Sequence, residues 1–230
     1  MYQLTGLLFM TNYILKTICT TMVKSLRLNT VSLETKSIML TIFLAQFVNT
    51  VILLTLKNFN TVDIFGKGSY FNEIFDGKDT DFSQHWYTTV GVAITMTMLI
   101  KAMEPFVEFM KNFSMFTMAR CLDRGFTFDT QRTKQGSIKN YIDLHSGPEF
   151  ALNNRYSAIL LHISVTAFFG GSLPMMYPIG VLSFSVMLIM EKLNLAFFYR
   201  EPPMYDESIT KSSNYVIKIV LYLGLFLTSW

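Results

Sequence analysis

The stretch WYTTVGVAITMTMLIKAMEPFVEFM, Trp86 to Met110, decides the fold class because it is long and apolar enough to form a membrane-spanning helix. The hydrocarbon core of a bilayer is about 30 Å thick, so a spanning helix needs about 20 mostly apolar residues. Trp86 and Tyr87, at its start, are the aromatic residues that membrane interfaces favour. The stretch therefore predicts a transmembrane α-helix that begins at an interface.

The composition of the whole chain agrees with this prediction. Of its 230 residues, 51% are apolar and only 15% are charged, whereas soluble proteins carry roughly 25% charged residues. Bulky side chains supply much of the apolar content, with 21 Phe and 15 Met, so disordered, collagen-like and disulfide-rich classes are excluded. The net charge of +3 gives no reason to expect nucleic acid as a partner.

Six segments approach the length of a membrane span, and they predict an all-α, polytopic transmembrane helix bundle in a single domain over residues 1–230. Glycine and proline interrupt helices, and four such residues predict a turn between the fourth and fifth segments. The sixth segment ends without a polar flank, so we expect the chain to be the central portion of a longer protein. The segments are 4–22, 37–56, 86–110, 156–173, 177–198 and 214–230, and the turn residues are Gly170, Gly171, Pro174 and Pro178.

The basic residues predict the orientation of these helices, because Lys and Arg near helix ends stay on the cytoplasmic side. Twelve basic residues flank one set of helix ends, whereas the 57–85 loop has three, among five acidic residues. This distribution predicts that the N-terminus and the 57–85 loop lie outside. It also predicts a cytoplasmic connector over 111–155, which is either a solvated loop or a segment lying on the membrane surface. We expect the plasma membrane rather than an internal membrane.

The sequence contains no motif that predicts catalysis, a metal site or a cofactor. His85, His145 and His162 lack the spacing of metal ligands, and Cys19 and Cys121 lie in different segments. His162, within the fourth segment, is expected to be a core residue bonded to a neighbouring helix. We therefore expect a protein that is not an enzyme.

Polar side chains inside the spanning segments are the unusual feature of the chain. In the third segment Thr97, Lys101, Glu104 and Glu108 follow one another at steps of four, three and four residues, which places them on one helical face. Charges at membrane depth are costly and usually face a partner or a water-filled path. Pro105 removes a backbone donor beside Glu104, so a kink or hinge is expected there.

Two interpretations of this polar stripe are open. In the first, Lys101 and Glu104 simply pair with each other while Glu108 lies at the cytoplasmic interface. In the second, the stripe lines a hydrated pathway. The first two segments favour the second interpretation, because each of them also has a polar face. The residues on those faces include Asn12, Lys16, Gln46 and Asn49.

Three stretches together resemble the channel region of the OSCA family of calcium-permeable, stress-gated cation channels, which are related to anoctamins and TMC proteins. They are VSLETKSIMLTIFLAQFVNTVIL at 31–53, WYTTVGVAITMTM at 86–98, and RYSAILLHISVTAFFGGSLPMMYPIGVLSFSVMLIMEKLNLAFFYREPPMYDE at 155–207. The last stretch is similar to that family's hairpin, in which a proline-containing outer turn joins two helices and the exit is rich in tyrosine.

The resemblance implies a mechanically or osmotically gated cation channel whose first four segments line the conduction path. Glu104 beside Pro105 matches the family's glutamate near a helix bend. The implied partners are membrane lipids, permeating cations and a second copy of the chain in a homodimer. Glu104, Glu108 and the distant Glu191 are too few for an anoctamin-type calcium site, so no bound metal is expected. The alternatives are a lipid scramblase of the same superfamily and a non-transporting helical subunit of a membrane complex.

Overall fold

The computed structural model describes residues 2–53, 83–126, 133–200 and 202–228, and within these ranges the fold is all-α. Seven helices are present there, two of them with π-helical portions. Helix α2 continues as a π-helix over Val48–Leu53, and α3 consists of a helical turn, a π-helix and a long α-helix. The bounds are α1 Tyr2–Ser25, α2 Val31–Phe47, α3 Gln84–Trp86 with Tyr87–Gly91 and Val92–Asp123, α4 Ile138–Ser146, α5 Leu152–Phe169, α6 Met176–Phe197 and α7 Ser208–Thr228.

Each of the six predicted segments contains a helix, and the predicted all-α bundle is confirmed. The main difference is at α3, which continues to Asp123 instead of ending at Met110. No Gly or Pro occurs between Pro105 and Gly125, so nothing stops the helix before Gly125, whose positive φ of 64° ends it. Most of the predicted 111–155 connector is therefore helical, and it includes α4.

Other predicted boundaries shift by a few residues. Helix α5 begins at Leu152 rather than at residue 156, and α7 begins at Ser208 rather than at residue 214. The start of α2 at Val31 is fixed by Thr30, whose side chain accepts a hydrogen bond from the Leu33 amide. Residues 54–56 and 229–230 of the predicted segments, and most of the predicted outside loop, lie outside the described residues.

The helices pack around α2 and α5. Helix α2 lies between α1 and α5, α7 packs along α5 and also contacts α2, and α6 packs along α3. The core is filled by apolar side chains with essentially no solvent exposure, such as Met39, Ile94, Leu161, Val165 and Met176. This arrangement places the polar faces of α1, α2 and α3 in the interior of the bundle. Polar and charged side chains are costly next to lipid, so they face other helices.

Three helical stretches are long and apolar enough to cross a membrane, namely Val31–Ile52, Gln84–Asp123 and Met176–Phe197. Such helices fit a membrane protein. At a rise of about 1.5 Å per residue, the 40 residues of Gln84–Asp123 measure about 60 Å, twice the thickness of a hydrocarbon core of about 30 Å. A large part of α3 therefore extends beyond the apolar layer.

The turn between α5 and α6 contains Gly170, Gly171 and Pro174, as predicted. A Cβ atom at Gly170 would lie 2.6 Å from the Thr166 backbone oxygen and 2.6 Å from the Tyr177 hydroxyl oxygen, and the backbone contact favours glycine there. Pro178 lies in the first turn of α6, where a proline removes no intrahelical hydrogen bond. The turn thus forms by close contact between glycine and an aromatic side chain.

Candidate functional site

A cleft with polar walls opens into the bundle between α1, α2, α3, α5 and α6. Its free volume is about 30 Å³, room for only a few water molecules. We call it the polar cleft. Six charged side chains line it, three basic and three acidic, so their formal charges cancel. They are Lys16, Lys101, Arg155, Glu104, Glu108 and Glu191.

A hydrogen-bonded group joins α1 to α2 beside the polar cleft. Asn12, 2% exposed, accepts a hydrogen bond from the Asn49 amide at 2.9 Å and donates one to the Thr50 hydroxyl at 3.2 Å. Gln46 donates to the backbone oxygen of Asn12 at 3.4 Å. These bonds satisfy polar side chains at buried positions, where unpaired groups would be costly.

The charges of the α3 stripe find their partners on other helices. Lys101 is only 6% exposed, and its ammonium group donates to the side-chain oxygen of Gln46 on α2 at 3.4 Å. Glu104 lies 3.8 Å from the ammonium group of Lys16 on α1. The simple pairing of Lys101 with Glu104 within α3 is therefore replaced by contacts between helices. Pro105 follows Glu104 in α3, and the α-helix continues through it without a break.

Arg155 connects three helices at one end of the polar cleft. From α5 it donates two hydrogen bonds to the carboxylate of Glu108 on α3, at 2.6 and 3.0 Å. Its Nε atom lies 2.9 Å from a carboxylate oxygen of Glu191 on α6. The guanidinium also lies over the ring of Phe150 at 5.2 Å. Planar, two-pronged contacts of this kind fix geometry as well as charge.

Tyr199, just after α6, completes this connection. Its hydroxyl donates to Glu108 at 2.7 Å and accepts hydrogen bonds from Arg155 at 3.3 Å and Asn112 at 3.1 Å. Burial, followed by the hydrogen bond to Glu108, raises the pKa of Tyr199 above its ordinary value of 10. The phenol therefore stays protonated at neutral pH and remains a donor to Glu108.

Most of the residues that the sequence predicted as pore-lining or gating lie at the polar cleft. Lys16, Gln46, Lys101, Glu104, Pro105 and Glu108 line it, and Asn12 lines its continuation beside α1. Asn49 is buried behind Asn12. Thr97 is buried too, and its hydroxyl donates to the backbone oxygen of Ala93 in its own helix. The turn residues around Gly170 lie at the opposite end of α5.

The sequence assigned no role in the site to two residues that prove central. Arg155 is the last residue of the predicted 111–155 connector, and Glu191 is distant in sequence from the other carboxylates. Arg155 stands 47 residues from Glu108 along the chain and 36 from Glu191, so no helical spacing links the three. The one available signal was the position of Arg155 at the start of an apolar segment, with Glu191 near the end of the segment that follows the turn.

His162 is buried, as expected, but its hydrogen bond differs from the prediction. Its Nδ1 atom lies 3.0 Å from the backbone oxygen of Ala158, one turn earlier in α5, and not against a neighbouring helix. Serine, threonine and histidine side chains often bond to the carbonyl one turn back when no partner helix offers an acceptor. The ring of His162 lies 6.3 Å from that of Phe184 on α6.

An apolar cluster fills the bundle at the end away from Arg155. It is formed by buried side chains of α3, α5 and α6, and its members include Trp86, Val90, Ile94, Phe169 and Met176. We call it the apolar seal. These side chains are part of the larger apolar core, which also includes residues of α2 and α7.

No family model, curated protein or solved structure matches the chain. The described residues contain no group of three or more His, Cys, Asp and Glu side chains placed to hold a metal ion. Fold and site together define an all-α bundle with three helices long and apolar enough to span a membrane and with a charged internal cleft. The resemblance to the OSCA family stays a prediction.

Proposed function

We propose that the chain forms the pore region of a cation channel, with the polar cleft as part of the conduction path in a closed conformation. The observation that carries the proposal is the convergence of charged and polar side chains from five helices on one internal cleft. Where polar side chains serve only to hold helices together, isolated hydrogen bonds between helices are enough. Six charges around one opening are better explained by a path for hydrated ions.

The distribution of charge within the polar cleft favours cations. Among its carboxylates, Glu104 has a side chain that is 44% exposed and Glu108 one that is 30% exposed. Among its basic groups, Lys16 is 29% exposed, Arg155 is 11% exposed and Lys101 is 6% exposed. Although the formal charges of the polar cleft cancel, its carboxylates are more exposed than its basic groups, which favours cations over anions at the mouth.

Gating would require the apolar seal to part. Membrane tension favours whichever state occupies more area, so a conformation in which α3 moves away from α5 and α6 would be selected by stretch. Pro105 lies in α3 between the seal and the Arg155 contacts, and is the position at which the helix bends most easily. Stretch gating, calcium permeation, a plasma-membrane location and an outside N-terminus belong to this proposal and rest on the sequence.

The test is patch-clamp recording from liposomes containing the full chain, with pressure steps applied to the patch. We expect stretch-evoked cation current in the wild type. Glu104→Gln removes the most exposed carboxylate of the polar cleft and is expected to lower cation over anion selectivity. The matched control is Glu207→Gln, because Glu207 is 83% exposed and pairs with Lys211 on the surface of α7.

Two results would contradict the proposal. Absence of current at any pressure would exclude tension-gated conduction by this chain. Unchanged selectivity in Glu104→Gln, with current present, would show that the polar cleft is not part of the ion path.

Lipid scrambling is a second candidate, favoured by the pairing of Lys16 with Glu104 at the mouth. Both side chains are partly exposed, at 29% and 44%, and together they present one charge of each sign. A zwitterionic headgroup carries the same two signs and would fit between them. Loss of fluorescence on adding dithionite to liposomes with labelled phosphatidylcholine measures this activity. Scrambling without ion current would favour this candidate over the channel.

A further inference from the structure

Two buried polar atoms lie in the interface between α5 and α6 without a hydrogen-bond partner in the described part of the chain. They are Nε2 of His162 and Oγ of Ser183, in side chains that are 2% and 1% exposed. A buried polar group without a partner costs on the order of 1–3 kcal/mol. A molecule bound between α5 and α6 that supplied both partners would remove this cost.

The hydrogen bond of the His162 ring determines what that partner must offer. Nδ1 lies 3.0 Å from the backbone oxygen of Ala158, and a carbonyl oxygen only accepts, so Nδ1 carries the proton and donates. In the neutral imidazole the other nitrogen is then an acceptor. Nε2 therefore needs a donor, whereas the Ser183 hydroxyl can donate or accept.

Helix register places His162 and Ser183 at the same level of α5 and α6, next to the polar cleft. Gly180 of α6 faces Thr166 of α5, and one turn further along the ring of Phe184 lies beside that of His162. One more turn in the same direction, Ala158 and Met187 line the polar cleft. The interface that holds His162 and Ser183 is thus the direct continuation of the cleft wall.

Lys101 stands at the junction of the polar cleft and this interface. Its ammonium group has three donors, and the contact to Gln46 at 3.4 Å uses one of them. Lys101 and Glu104 are close enough to His162 to act on it electrostatically. A molecule that bridges Lys101, His162 and Ser183 must accept from the ammonium group and donate to Nε2. Water meets both requirements, whereas a bare anion only accepts hydrogen bonds and a bare cation neither accepts nor donates them.

We propose that the polar cleft extends between α5 and α6 as a water-binding pocket formed by His162 and Ser183, with Lys101 at its entrance. The pocket follows from the hydrogen-bonding needs of its own atoms. Its place in an ion path rests on the proposed function. As part of the proposed ion path, the pocket lengthens the hydrated part of that path by one helical turn toward the apolar seal. Helices α5 and α6 form the walls of the pocket.

Cysteine accessibility in a bilayer tests the pocket. In a background carrying Cys19→Ala and Cys121→Ser, the full chain in liposomes is given one new cysteine, Ser183→Cys, and treated with the small cationic reagent 2-aminoethyl methanethiosulfonate. Thiols react as thiolates, which form in contact with water and not in a dry apolar core. The extent of modification is read by intact-protein mass spectrometry.

Two matched controls are available in the same pair of helices. Ser164→Cys replaces a side chain that is 1% exposed but already donates to the Leu160 carbonyl at 2.6 Å. Ser185→Cys replaces an outward-facing residue of α6 that donates to the Val181 carbonyl at 2.8 Å. We expect Ser183→Cys to be modified completely under conditions that leave both controls unmodified.

Failure of Ser183→Cys to react, with the protein correctly folded by size-exclusion chromatography, would overturn the pocket. Equal reaction of all three cysteines would overturn it as well, because it would indicate general solvation of the helices. Ion current is measured on the same preparations. Modification without current would support the pocket and contradict the proposed channel function. Current without modification would support the channel function and contradict the pocket.

Discussion

Arg155 makes contacts that no other side chain of the polar cleft can replace, since it joins α3, α5 and α6 through Glu108 and Glu191. We predict that Arg155→Gln lowers the free energy of unfolding by about 3 kcal/mol, because it leaves two neighbouring carboxylates in a half-buried site without a cation. Thermal unfolding of the purified protein in detergent, followed by circular dichroism, measures the change. Arg155→Lys should recover part of it, because an ammonium group restores the charge without the two-pronged geometry.

A surface pair provides the control for this prediction. Lys211 lies 2.8 Å from Glu207 one turn away, and both side chains are more than 75% exposed. Lys211→Gln is expected to leave the unfolding temperature unchanged, because exposed pairs contribute little. A similar loss in both variants would mean that Arg155 contributes no more than an ordinary surface charge.

Helices α5 and α7 are in close contact where Gly224 meets Ala167. A Cβ atom at Gly224 would lie 2.6 Å from the Ala167 backbone oxygen and 3.0 Å from its carbonyl carbon. We predict that Gly224→Ala destabilises the protein by about 1–3 kcal/mol, because backbone cannot move aside as a flexible side chain can and the two helices must separate. Urea or thermal unfolding of the purified protein measures the change.

Gly136, just before α4, gives the matched substitution. An added Cβ there meets nothing within 4 Å. Gly136→Ala is therefore expected to be neutral or slightly stabilising, since it lowers the entropy of the unfolded chain. Equal stability of the two variants would show that α7 is free to move away from α5 at no cost.

The existence of the helices could be predicted from the sequence, whereas their lengths could not be predicted equally well. A run of about 20 apolar residues is by itself enough to predict a spanning helix. The end of α3 depends instead on Gly125, fifteen residues past Met110, where the predicted apolar segment ends. Lys111 and Arg120 are good helix formers, so polarity marked the limit of the apolar layer and not the limit of the helix.

For the whole molecule, the polar faces of α1, α2 and α3 lie next to one another at the polar cleft, because buried polarity is shared between helices. The partners of each charge could not be predicted, since they depend on which helix packs against which. Glu104 pairs with Lys16, 88 positions away, rather than with the nearby Lys101. The contact of Arg155 with Glu191 could not be predicted for the same reason. It forms only because the turn at Gly170 folds α6 back along α5.

The arrangement of the whole bundle, with a polar mouth at one end and the apolar seal at the other, leads to a prediction about the closed state. Val90, with no solvent exposure, lies in the seal beside Trp86 and Met176. Val90→Asn places an amide where water is excluded, so it is expected to hydrate the narrow segment. We predict a resting leak roughly tenfold higher than in the wild type, the change that about 1.4 kcal/mol produces. Ion flux from loaded liposomes without applied pressure measures it.

Val181→Asn is the control for this variant, because Val181 is 68% exposed on the outer face of α6 and makes no part of the seal. Introducing the same amide there perturbs the lipid-facing surface and leaves the interior of the bundle unchanged, so no additional leak is expected. Size-exclusion profiles of both variants establish that each remains folded. An equal leak from the two would assign the flux to general disruption of the bilayer contact. Absence of additional leak from Val90→Asn would show that the seal is ordinary core packing. The part of the molecule that closes the path would then have to lie elsewhere.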